Sequence, residues 1–171
     1  MNLWRNFWGW YERTYTLNIS IALGLFLLQI IHLIWLSGEV VWFRAFGESL
    51  FTLSGVHKAV IILVDYTEIP ALISVSLLYI NELRGGWNVK NILYLVFLNI
   101  QWVHLFWITD EFVLAAFTGA APIALPMWLA WVAIMIDYLE LPVMFDVLKK
   151  FTRSVKEGRT GQFLKYELRE E

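Results

Sequence analysis

Apolar positions in this chain do not alternate with polar ones. They run in four long blocks, at 17–37, about 59–81, 91–109 and about 122–148. A helix rising 1.5 Å per residue crosses a hydrocarbon layer of roughly 30 Å in a block of this length. The pattern therefore predicts four transmembrane helices. The first block is too long for a signal-peptide core, follows a tryptophan-rich stretch and shows no small-residue cleavage site, so it is expected to remain as a helix. Ahead of it, Trp4, Trp8, Tyr11 and Tyr15 fall at helical spacing. That spacing predicts an amphipathic segment over 1–16, lying in the membrane interface where aromatic rings prefer to sit.

Polar residues interrupt the blocks in a repeating order. Shifted by 72 residues without gaps, the sequence places Gln29, His32, Trp35, Glu39 and Gly47 on Gln101, His104, Trp107, Glu111 and Gly119. The same shift places Asp65, Tyr66, Glu68 and Pro70 on Asp137, Tyr138, Glu140 and Pro142. Of the 47 positions from 29 to 75, 15 are identical. Shared greasiness accounts for some aliphatic matches, but not for the coincidence of the buried polar residues. Each copy holds two helices, so both copies insert in the same orientation, and an axis along the membrane normal would relate them. The expected fold is an all-α, four-transmembrane-helix bundle made of two tandem, pseudo-two-fold-related hairpins, at 17–84 and 85–151. The interfacial segment 1–16 precedes them and a basic tail, 152–171, follows.

Charge sets the expected orientation. Eleven Lys and Arg residues lie before the first helix, between the second and third, or after the fourth; only Arg44 and Lys58 lie in the other two loops. This asymmetry predicts cytoplasmic N- and C-termini in the inner (cytoplasmic) membrane. The absence of cysteine excludes disulfides, thiolate metal sites, iron–sulfur clusters and covalently attached haem. With a net charge of −2 and no basic face, the chain is not expected to bind nucleic acid.

The polar residues converge in depth and in facing. His32 lies near the outer end of the first helix, and Asp65 and Glu68 lie two to three turns into the second. The repeat sets His104, Asp137 and Glu140 at the same level. Gln29 and His32 are three residues apart, as are Asp65 and Glu68, so each pair shares a helix face. An unmatched Asp at mid-membrane costs about 2.5 to 3.5 kcal/mol, so four acids would cost on the order of 10 kcal/mol. With no Lys or Arg inside the four blocks, the acids must hold protons or bind cations. Four carboxylates balance two divalent ions, with neutral imidazoles completing the site.

Two histidines and four carboxylates in a four-helix bundle resemble the carboxylate-bridged di-metal sites of the ferritin-like kind. The usual Glu-x-x-His is replaced here by His on one helix and Asp-x-x-Glu on the next. The resemblance implies a dinuclear centre with His32, Asp65, Glu68, His104, Asp137 and Glu140 as ligands. Such an oxygen-rich, sulfur-free set suits iron most, then manganese or zinc. Gln29, Gln101, Tyr66 and Tyr138 are candidates to orient the ligands. Pro70 and Pro142, two residues past each Glu, should kink their helices beside the site. Glu39 and Glu111 are candidate mouth residues or additional ligands. Trp35 and Trp107 read as outer-belt aromatics, and His57, Glu48, Asp110 and Asp146 as solvated helix ends.

Four functions fit these features. A membrane-bound di-metal oxidoreductase would act on a lipid-soluble substrate, a quinone or dioxygen. A bis-His b-haem electron-transfer subunit would use His32 and His104 as axial ligands. On any of these readings the expected partners are the lipid bilayer, further copies of the chain or other subunits of a respiratory complex. A metal or proton transporter would use the same acids. Finally, the chain is similar to the EXPERA family in its four helices, its length, its acids and proline near the second helix and its basic tail. That resemblance implies a lipid-binding or isomerase protein, and assigns no residues.

Overall fold

Four long apolar blocks bounded by Gly, Pro and charge fold as helices, and every regular element among the described residues is helical. The computed structural model describes residues 3–109, Gly119 and 126–157. The expectations for Glu111, Asp110 and most of the tail lie outside these residues. In chain order the elements are α1 (Leu3–Arg13), α2 (Tyr15–Trp35), a π-helical turn (Leu36–Val41), α3 (Trp42–Phe46), α4 (Val56–Tyr66), α5 (Glu68–Gly85), α6 (Val89–Ile108), α7 (Met127–Tyr138) and α8 (Glu140–Lys156). No strand occurs among the described residues.

Four helical stretches are long and apolar enough to cross a membrane: Tyr15–Phe46, Ala59–Gly85, Val89–Trp107 and Met127–Lys156. The first is longer than its apolar block. The helix runs on through the π turn and α3, and stops at Gly47, whose φ of +82° only glycine adopts freely. Gly119 takes the same left-handed conformation, with φ of +80°. Asn88 starts α6, its side-chain oxygen accepting the Lys90 amide at 2.9 Å.

The second and fourth spans are each broken in mid-course. Proline has no N–H to donate, and its ring crowds the carbonyl four residues back. That carbonyl belongs to Tyr66 for Pro70 and to Tyr138 for Pro142. Accordingly α4 ends at Tyr66 and α5 begins at Glu68; α7 ends at Tyr138 and α8 begins at Glu140. The joining residues make tight turns, Thr67 N–H to Val64 O and Leu139 N–H to Ile136 O, both at 2.9 Å.

Around the bundle, α2 packs on α4, α5 and α8, while α6 packs on α5, α7 and α8. Each span thus neighbours the next, and the fourth returns to the first. Phe26, Leu72, Leu78, Tyr79, Leu98, Val143 and Val147 fill the interior. The N-terminal α1 buries Trp8 and Tyr11 and exposes Leu3, Trp4 and Trp10.

Candidate metal centre

The helix breaks put Asp65 and Asp137 on the last turn of one helix and Glu68 and Glu140 on the first turn of the next. His32 and His104 come from the uninterrupted α2 and α6. All six side chains are buried, each residue between 4 and 7% exposed. Asp137 contacts both imidazoles: its Oδ1 lies 3.0 Å from Nδ1 of His104 and its Oδ2 lies 3.6 Å from Nε2 of His32. Asp65 pairs with Nδ1 of His32. The imidazole centroids are 6.1 Å apart, with the rings inclined by 72°. Beside this group the carboxyl groups of Glu68 and Glu140 meet each other from opposite spans.

Both nitrogens of each histidine and one oxygen each of Asp65, Glu68, Asp137 and Glu140 are buried with no hydrogen-bond partner among the described residues. Leaving that many polar atoms unpaired in an apolar interior is costly. One potential ligand atom from each of His32, His104 and Asp137 lies within 4.8 Å of the other two. That group could hold a metal ion. Asp65 and the two glutamates flank the three without joining so tight a group, a difference between the two halves that the sequence does not contain.

The expected supporting residues act on the backbone and across the hairpins. Gln29 donates to Val64 O at 3.0 Å and to Thr67 Oγ1 at 3.1 Å; Gln101 donates to Ile136 O at 2.7 Å. Both acceptor carbonyls belong to the residue just before an aspartate of the site. The glutamines thus hold the turn that carries each Asp-x-x-Glu. The tyrosines reach between hairpins: Tyr66 Oη lies 2.9 Å from Thr109 Oγ1, and Tyr138 Oη lies 2.6 Å from Ser37 Oγ. Ser37 and Thr109 in turn donate to Leu33 O at 2.7 Å and Leu105 O at 2.8 Å. Ser37, Thr67 and Thr109 escaped the sequence reading. The hydroxyl shared by positions 37 and 109, which are 72 apart, was the available signal.

Glu39 sits on the π turn and is held by Trp35 and by the loop after α3. Its Oε2 accepts the Trp35 indole N–H at 2.6 Å and the Leu53 amide at 3.0 Å, and its carbonyl accepts the Ser49 hydroxyl at 3.0 Å. Glu39 thereby fastens the loop after α3 to the end of the first span. Trp35 differs from the belt residue expected: it is buried, with its ring 5.6 Å from that of His32. Asp146 likewise departs from the solvated end expected. It is buried, accepts the Tyr79 hydroxyl at 3.0 Å, and pairs with Lys150 at 2.7 Å and with Lys90. The reason is length: α8 runs past its apolar block to Lys156, so Lys150 comes one turn after Asp146 on the same helix. His57 and Glu48 are exposed, as expected.

Neither protein-family models, curated proteins nor solved structures match this chain.

Proposed function

We propose that this protein is an integral membrane metalloprotein whose core binds two divalent ions, with iron preferred to manganese or zinc. His32, Asp65, Glu68, His104, Asp137 and Glu140 are the proposed ligands. One observation carries the reading: both nitrogens of His32 and His104 and one oxygen of each of the four acids are buried with no hydrogen-bond partner among the described residues, and His32, His104 and Asp137 bring ligand atoms within 4.8 Å of one another. A cation between them would offset both the charge and the missing bonds. Bound ions would supply Lewis-acid or redox chemistry, which suits an oxidoreductase acting on a lipid-soluble substrate, quinone or dioxygen. The chain's own part is to hold the ligand atoms and, by surrounding them with four apolar spans, to exclude bulk water.

The proposed architecture is a duplicated hairpin with a pseudo-two-fold axis along the membrane normal. Paired contacts support it. Gln29–Val64 and Gln101–Ile136, Tyr66–Thr109 and Tyr138–Ser37, and Ser37–Leu33 and Thr109–Leu105 are the same bonds displaced by 72 residues. The proposed placement is the inner membrane with both termini cytoplasmic, from the distribution of Lys and Arg. A b-haem between His32 and His104 is the weaker reading, because the Asp137 carboxylate meets both imidazoles where a flat macrocycle would lie.

Elemental analysis and an optical spectrum of detergent-purified protein test the proposal. About two metal ions per chain and no Soret band are expected. One ion per chain would reduce the centre to the His32–His104–Asp137 group. A Soret band lost with His32→Ala or His104→Ala would establish haem instead, and protein free of any metal would sink both readings.

A further inference from the structure

The basic residues at the end of α8 divide between two sides. Lys150 turns inward and is matched by Asp146 and Glu82, at 2.7 and 2.8 Å. Lys149, Arg153 and Lys156 turn outward along one stripe, spaced i, i+4 and i+7. They line a groove of about 500 Å³ together with Leu148, Thr152 and Glu157. Glu157 is the one acid among the described residues that line it, and approaches Arg153 at 4.0 Å. Lys149 and Lys156 have no carboxylate within ion-pair distance among the described residues. Toward the middle of the span the stripe becomes apolar: Phe145 and Leu148 are 60% and 45% exposed. The Lys149 ammonium lies 4.5 Å over the Phe145 ring, so the basic and apolar parts of the stripe are in direct contact.

We infer that this face of α8 binds an anionic phospholipid, its phosphate held by Lys149, Arg153 and Lys156 and its acyl chains lying on Leu148 and Phe145. The charge excess gives the preference for an anionic headgroup, since a zwitterionic one would bring a second cation to a site already rich in them. The apolar lower half distinguishes a lipid from free phosphate, which has no use for Phe145 or Leu148. The inference is independent of the metal reading, because the groove shares no residue with the proposed ligands.

Thermal unfolding of the full chain in a non-ionic detergent tests it, with short-chain phosphatidylglycerol, short-chain phosphatidylcholine or inorganic phosphate added. Phosphatidylglycerol should raise Tm by about 3 °C or more, and the other two should leave it unchanged. The double variant Lys149→Gln/Arg153→Gln should lose the shift. Arg5→Gln/Arg13→Gln, which removes equal charge from α1, should keep it. Equal stabilisation by phosphatidylcholine or by phosphate would overturn the inference. So would equal loss in both double variants, which would reduce the effect to general surface charge.

Discussion

The hydroxyl of Tyr138 meets that of Ser37 at 2.6 Å, joining the residue after a site aspartate in the fourth span to the π turn that ends α2. Tyr66 and Thr109 make the corresponding tie between the second and third spans at 2.9 Å. Each tie binds one hairpin to the other next to the candidate metal centre. Tyr66→Phe and Tyr138→Phe should each destabilise the bundle by about 1 kcal/mol, and to the same extent. Unfolding in mixed micelles measures both, and a several-fold inequality would count against the duplicated architecture.

The two glutamines should be unequal despite their matching positions. Val64 O also accepts the Thr67 hydroxyl, at 2.7 Å, so it keeps a side-chain donor when Gln29 is removed. Leucine stands at the equivalent position, 139, and with Gln101 Ile136 O loses its one side-chain donor among the described residues. Gln101→Leu should cost about 1–2 kcal/mol and Gln29→Leu about half of that, measured in the same unfolding experiment.

Asp137 contacts both histidines, whereas Asp65 contacts His32 alone. Loss of even an outer support of a metal ligand lowers affinity about 10- to 100-fold. Asp137→Asn should therefore weaken metal binding by about 100-fold or more and Asp65→Asn by about 10-fold. Competition with a chelator of known affinity gives both numbers. Equal losses would mean that the ions sit symmetrically and that Asp137 does not bridge the histidines.

Asp146 ties three spans at the basic end, through Tyr79, Lys90 and Lys150. Asp146→Ala would leave Lys150 with Glu82 alone and strand the buried Tyr79 hydroxyl. The expected cost is about 3 kcal/mol, reached by breaking a buried pair, with metal content per folded chain unchanged. A loss of bound metal in protein that remains folded would show that the two ends of the bundle are coupled.

Much of this protein could be read from its residues in order. The four helices long and apolar enough to cross a membrane follow from the apolar blocks, whose lengths match a bilayer core. The interruptions at Thr67 and Leu139 follow from Pro70 and Pro142. The six buried polar groups of the candidate site stand at positions that match at a 72-residue shift, a coincidence that aliphatic residues alone would not produce. Which of them touch was decided only by tertiary packing. Identical residues at a 72-residue spacing give Asp65 and Asp137 equal standing, yet the close of the bundle sets Asp137 between both imidazoles and leaves Asp65 on one. The same holds for Glu39, turned to fasten a loop, and for Asp146, buried because α8 extends far enough to bring Lys150 beside it. Periodicity and composition fix which face of a helix is polar. The lateral packing of four helices fixes which polar atoms meet, since contact distances depend on where each neighbouring backbone comes to rest.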